Sequence, residues 1–269
     1  MKKYNIIAVL ILLIFILTSC ANSSIPANQN DPTITKGTEE TPGEEEPTPS
    51  PTPSLPLAGV KICIDPGHQA KGNSDLEPVA PWSDEMKRKV TVGGTGSKGI
   101  PEYILNLQIS LKIRDALKEA GAEVLMTRET HDVDISNKER ATMANEFGAH
   151  LTLRIHLNGA DNKDVNGMEI YIRGNGDGSA ETKKLASYEY TVANMLLAEL
   201  VEATGAKNRN VRTSDSYTGI NWSEGPCLIL ELGYLSNVEE EEKLCDDEYQ
   251  QIMADAILKF LMEFDITKR

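Results

Sequence analysis

The chain has 269 residues, 40% of them hydrophobic, and a formal net charge of −14. That length holds one or two domains, and the acidic balance excludes a nucleic-acid partner, which needs a basic face. Four cysteines at irregular spacing exclude a disulfide framework, and Cys63, Cys227 and Cys245, in apolar or helix-like contexts, are expected as buried free thiols.

The chain opens with Lys2 and Lys3, an apolar run of twelve residues from Ile6 to Leu17, and then Thr18-Ser19-Cys20. Twelve apolar residues fall short of the roughly 20 that a membrane-spanning helix needs. A positive start, a short apolar core and small residues before a cut describe a secretory signal over residues 1–19. The tetrapeptide Leu17-Thr18-Ser19-Cys20 resembles a bacterial lipobox, which implies that Cys20 becomes a lipidated first residue anchored to the outer face of the cell membrane. Residues 20–57 hold 8 of the 13 prolines, many Ser and Thr, and the acidic run Glu44-Glu45-Glu46. Such a stretch buries too little apolar surface to fold, and it is expected to be a disordered tether. Residues 58–269 carry a net charge of −11 and suffice for one domain with a sizeable core. No feature calls for an obligate partner, so a monomer is expected.

Within that domain, Val60–Ile64 is short and β-branched and predicts a buried strand. The segment 69–99 has weak periodicity, many charges and the glycine-rich run TVGGTGSKG; it predicts an irregular insertion near the site. It is no phosphate loop, because it lacks the Lys-Ser/Thr ending and does not follow a strand. Glu102–Ala120 repeats apolar residues at Leu105, Ile109, Ile113 and Leu117, a helical period closed by Gly121. Strand Glu123–Thr127 follows, then a helix ending near Phe147, with Ser136 and Glu139 as its capping box. Strands Leu151–His156 and Met168–Ile172, helix Thr182–Thr204 and strand Leu228–Glu231 come next. A short acidic helix capped by Asn237 and a last helix Asp247–Phe264 complete the order. Alternating strands and helices predict a single α/β domain, with a mixed, mostly parallel sheet of about six strands and helices on both faces.

Four residues in this layout carry candidate chemistry. His68 follows Asp65-Pro66-Gly67, a tight turn that aims its imidazole back over the sheet edge. His156 leaves a strand just before the turn signal Asn158-Gly159. Glu231 ends the apolar run CLILE, where a partly desolvated carboxylate needs an ion pair or a chemical role. Glu102 opens a helix, and stabilising the macrodipole is a sufficient account of it from the residues alone. Two imidazoles and a carboxylate can hold zinc with one open position, and a second carboxylate can move protons. His131 and His150 read as surface or structural residues.

The blocks DPGH at 65–68, PEYILNL at 101–107, TR at 127–128, RIHLNG at 154–159 and ELGYLSN at 231–237 occur in order. Together they resemble the catalytic domain of the zinc-dependent N-acetylmuramoyl-L-alanine amidases (Amidase_3), from about Val60 to the C-terminus. The resemblance implies Zn2+ held by His68, Glu102 and His156, with Glu231 as the catalytic acid–base. It implies a peptidoglycan substrate, cut by zinc-activated water between N-acetylmuramic acid and L-alanine of the stem peptide. Such a protein would work outside the cytoplasm, facing the cell wall. Where family members carry a serine before Ile-His, this chain has Arg154. Alternation puts Arg154 on the side of His156, where it either binds a substrate carboxylate or pairs with an acid at the sheet edge. Asn158 is a further candidate for substrate binding. A zinc peptidase acting within the stem peptide and a wall-binding lipoprotein without turnover remain as alternatives.

Overall fold

The computed structural model describes residues 55–268; the expected signal, Cys20 and nearly all of the tether lie outside the described residues. Leu57, at the tether's expected end, is 2% exposed and donates its N–H to the Ala120 carbonyl, so the folded part takes it in. No helix among the described residues is long and apolar enough to cross a membrane.

Strands β1 (Lys61–Pro66), β4 (Glu123–Met126), β5 (Leu151–Asn158), β6 (Met168–Arg173), β7 (Asn208–Ser214) and β8 (Cys227–Tyr234) form one sheet in the order β4-β1-β5-β8-β6-β7. All neighbours are parallel except β6 and β8, so the sheet is mixed and mostly parallel. Helices α1 (Glu102–Glu119), α3 (Ala180–Thr204) and α6 (Asp247–Glu263) pack together on one face, and α2 (Asn137–Phe147) and α4 (Thr218–Asn221) cover the other. Helix α5 (Val238–Leu244) follows β8.

Strand alternation sorts the two faces. Ile62, Ile64, Leu153, Ile155, Leu228 and Leu230 enter the main core with Ile109, Ile113 and Leu117 of α1. The intervening positions, Cys63, Asp65, Thr152, Arg154, Cys227, Ile229 and Glu231, face α2 and α4. Cys63 and Cys227 each register with Thr152 on the strand between them, so about two strand spacings, roughly 9–10 Å, separate the thiols. That is too far for a disulfide, and both are buried and free. Cys245 is also free but exposed, contrary to the expected burial: it sits at the C-cap of α5, beyond the core.

Helix ends follow local chemistry. Ser136 and Glu139 form the expected capping box, and Gly148 closes α2 in the left-handed conformation at φ 69°. Ser179 caps α3, which begins at Ala180, two residues before the expected Thr182, and its side chain accepts the Thr182 N–H.

Three features depart from the sequence reading. β7 is not expected from the sequence, because NRNVRTS is polar and only Arg209, Val211 and Ser214 are even half-buried on this edge strand. The insertion is partly regular: β2 (Asn73–Pro78) and β3 (Met86–Val90) form an antiparallel hairpin, too charged to show alternation. β5 and β8 run past His156 and Glu231 instead of ending there, with a break in their register between His156 and Asn158. An irregularity of this kind bends a strand and re-aims its side chains.

Candidate active site

The site is built where β1, β5 and β8 approach their C-terminal ends. His156 of β5 registers with Glu231 of β8, which registers with Glu169 of β6, so three polar side chains form one row across the sheet. Glu102 reaches this row from the first turn of α1, behind Pro101 at its N-cap.

His68 stands two residues past β1 at φ 61°, a left-handed conformation uncommon outside glycine. Two arginines hold the turn that forces it there. Arg140 of α2 donates to the carbonyls of Pro66 and His68 at 2.9 and 3.1 Å, and Arg128 donates to those of Pro66 and Gly67, each at 2.9 Å. Asp65 lies between Arg140 (2.7 Å) and Arg154 (2.9 Å), all three within 5% of full burial, and accepts the Thr127 hydroxyl. Burial works to raise the Asp65 pKa, but the two guanidinium groups outweigh it and hold the carboxyl well below the usual range.

Glu102 is 4% exposed, so it is more than a surface partner for the helix dipole. Its Oε2 lies 3.2 Å from His68 Nε2 and its Oε1 lies 3.3 Å from His156 Nδ1. The carboxylate also accepts N–H groups from Gly94 (2.8 Å) and Leu157 (3.2 Å) and the Asn106 amide (3.1 Å). Burial opposes ionisation of Glu102, yet hydrogen bonds from His156 and His68 prevail and keep its pKa low. Burial also lowers the pKa of His156, favouring the neutral imidazole that a metal needs.

His68, Glu102 and His156 each offer a ligand atom within 4.8 Å of the others. Two corners of a tetrahedron with bonds of about 2.1 Å are roughly 3.4 Å apart, close to the 3.2 and 3.3 Å found between carboxylate and imidazoles. His68 Nδ1 lies 3.1 Å from both the backbone carbonyl and the hydroxyl of Thr91, which holds the ring with Nε2 turned towards Glu102. The donor set therefore fits a divalent cation such as zinc.

The glycine-rich run is the part of the 69–99 insertion that walls this centre. A Cβ on Gly93 (φ +81°) would stand 2.6 Å from Glu102 Oε2 and 2.7 Å from the His68 ring. Gly67 likewise leaves room for the His156 ring, 2.3 Å from where its Cβ would be. Buried Glu241 of α5 moors the run, accepting the Ser97 hydroxyl at 2.5 Å and the Lys98 N–H at 3.0 Å. The glycine pair was visible in the sequence, but its closeness to Glu102 depends on the hairpin before it.

Glu231 lines the cavity with His68 and His156, and its Oε2 has no hydrogen-bond partner among the described residues. Burial, then the carboxylates of Glu102 and Glu169, push its pKa well above the ordinary value. Glu169 itself is satisfied by Asn158 (2.7 Å), the Tyr234 hydroxyl (3.0 Å) and Arg212 (2.5 Å). Asn158 thus borders the cavity with its amide committed to Glu169. Arg154 is committed too, to Asp65 and to Asn137 Oδ1 at 2.7 Å. Of the two expected partners it therefore takes an acid, Asp65, the next-to-last residue of β1. His150 accepts the Lys61 N–H and His131 packs edge-on against Tyr103, both away from the centre.

With this geometry in place, comparison with known proteins identifies the chain: it belongs to the N-acetylmuramoyl-L-alanine amidase family (Amidase_3), whose profile matches residues 62–263. An uncharacterized protein of Bacillus subtilis (strain 168), YqiI, is 31% identical over 205 residues, covering 76% of this chain and 93% of that protein. The germination-specific N-acetylmuramoyl-L-alanine amidase of the same organism is 28% identical over 225 residues, covering 78% of this chain and 82% of the relative. Among solved structures, the catalytic domain of CwlV, an N-acetylmuramoyl-L-alanine amidase from Bacillus (Paenibacillus) polymyxa var. colistinus, superposes with a TM-score of 0.59. It is 27% identical and covers 76% of this chain and 97% of that one. The amidase Ami1 from Mycobacterium smegmatis shares the fold at a TM-score of 0.70 and 21% identity, over 79% of this chain and 99% of its own.

Proposed function

We propose that this protein is a peptidoglycan hydrolase that cleaves the amide between N-acetylmuramic acid and L-alanine of the stem peptide. The observation that carries the reading is the meeting of His68, Glu102 and His156 beside an unpartnered Glu231, in a chain of this family. His68, Glu102 and His156 would hold the cation, zinc by the choice of two imidazoles and one carboxylate. When bound, zinc supplies Lewis acidity to polarise the amide carbonyl and to make a water acidic enough to attack. Glu231, which lines the cavity beside the two imidazoles with its Oε2 unpartnered, takes up the proton of the attacking water. It then gives that proton to the departing alanine nitrogen, which leaves poorly as an anion. Thr91 and Gly94 keep His68 and Glu102 in place, so little reorganisation accompanies the reaction.

The cut would occur outside the cytoplasm, where the wall is, and the Leu17–Cys20 segment would tether the domain to the membrane by lipid. Mass spectrometry of peptidoglycan digested by the purified protein tests the reading. Intact stem peptides with a free N-terminal alanine are expected; shortened stems would mark a peptidase, and an undigested wall would contradict both.

A further inference from the structure

The cavity over Glu231 has two lobes that share His68, His156 and Glu231 as common wall. The larger, about 630 Å³, opens beside Glu102 and the turn after β5, and its charged rim is mixed, Asp161 with Lys163. The smaller, about 240 Å³, lies towards the hairpin, between β3 and the start of α4. Its lining includes Lys87, Arg88 and Arg154, and Glu231 is its sole carboxylate.

The charge of that lobe is open to a ligand. Arg154 is held by Asp65, which it shares with Arg140, and by Asn137. Lys87 donates to the neutral Ser216 carbonyl at 2.8 Å, and its nearest carboxylate, Glu85, stands 3.7 Å away and is exposed. Arg88 is exposed and, among the described residues, has neither an ion pair nor a hydrogen bond from its side chain. Two cations, the half-buried Lys87 and the exposed Arg88, therefore line a recess beside the reacting centre, in a domain of net charge −11. A field of that sign, local to a cleft, selects an anionic group.

The inference rests on the amidase reading. A substrate of that reaction has two unlike halves. The sugar half is uncharged once its lactyl carboxyl is tied up as an amide, whereas the peptide half keeps free carboxylates. The scissile bond lies at the junction of the lobes, so the halves must occupy opposite lobes. We propose that the smaller lobe is the subsite for the leaving peptide, and that Lys87 and Arg88 of β3 bind one of its carboxylates. Arg88 supplies the planar fork and Lys87 a second charge, so the hairpin inserted between two ligands decides which way round the substrate lies.

Steady-state kinetics of the metal-loaded full chain on a soluble glycan–peptide fragment, with its peptide carboxylates free or amidated, tests this. Arg88→Gln and Lys87→Gln/Arg88→Gln are expected to raise KM about tenfold on the acidic fragment, with kcat within twofold. On the amidated fragment the same variants should shift KM by less than twofold. Lys89→Gln removes a charge from the same strand at a residue that faces Asp75, outside the lobe, and should leave KM unchanged on both. A KM unaltered by the Lys87 and Arg88 changes, or raised equally on both fragments, overturns the subsite while leaving the amidase reading intact. Wild-type protein that cleaves neither fragment overturns the amidase reading, and the subsite with it.

Discussion

The two imidazoles of the centre are held by opposite means. His156 rides on β5, a central strand paired on both sides, so the backbone ladder fixes its place. His68 lies beyond its strand in a left-handed conformation, and its place is fixed by side chains and loops from elsewhere: Arg128, Arg140 and the strap at Thr91–Gly94. A side chain built into a sheet is as stable as the sheet. A side chain built onto a turn depends on whatever neutralises and supports that turn.

The largest break in this contrast is expected at Asp65. Asp65→Asn leaves Arg140 and Arg154 buried without their counter-charge, which should cost about 3–5 kcal/mol of stability in denaturant unfolding. The acid limb of the stability profile carries the same information. A carboxyl whose folded pKa is depressed contributes stability that is complete above its unfolded value, about 3.9, and is lost as the pH falls through the folded value. Wild type should therefore lose stability below about pH 4 more steeply than Asp65→Asn. Parallel slopes would mean that Asp65 carries no such load.

A smaller effect, aimed at His68 and Glu102 alone, is expected from Gly93→Ala. The added methyl meets both side chains and the residue sits at φ +81°, so on the proposed reading zinc affinity measured by chelator competition should fall about 10–100-fold. Far-ultraviolet circular dichroism should be unchanged, because the sheet does not depend on the strap. Unaltered affinity would show that the strap is only a neighbour of the centre.

The smallest effects separate two adjacent acids on α5. Glu241 is buried and moors Ser97 and Lys98, whereas Glu242 makes an exposed pair with Lys98 at 3.1 Å. Glu241→Ala should cost about 1–3 kcal/mol by leaving buried donors unpaired. Glu242→Ala should cost less than about 1 kcal/mol, as exposed pairs do. Equal costs in thermal unfolding would contradict the mooring role.

The order of elements was legible because the central strands are apolar runs and the long helices repeat Leu and Ile at helical spacing. Caps such as Ser136 and closing glycines such as Gly148 marked their ends. β7 and the β2–β3 hairpin were not legible, since strands at an edge or in a two-stranded ribbon bury too little to impose alternation. At the site, His68, His156 and Glu231 were singled out by polar side chains ending apolar runs. Glu102 needed the family resemblance, because a first-turn acid is ordinary. The supports of His68 were illegible for a different reason. Arg140 reads as one more charge on an amphipathic helix, and only the fold brings it to carbonyls more than seventy residues earlier.

In the proposed reaction His68, Glu102 and His156 hold the metal and Glu231 moves the proton. The most direct test measures zinc content and amide hydrolysis together in Glu231→Gln and His156→Ala. Glu231→Gln is expected to bind zinc as wild type does and to release no stem peptide, while His156→Ala loses both zinc and activity. Hydrolysis at wild-type rate by Glu231→Gln, or full zinc occupancy in His156→Ala, would contradict these roles.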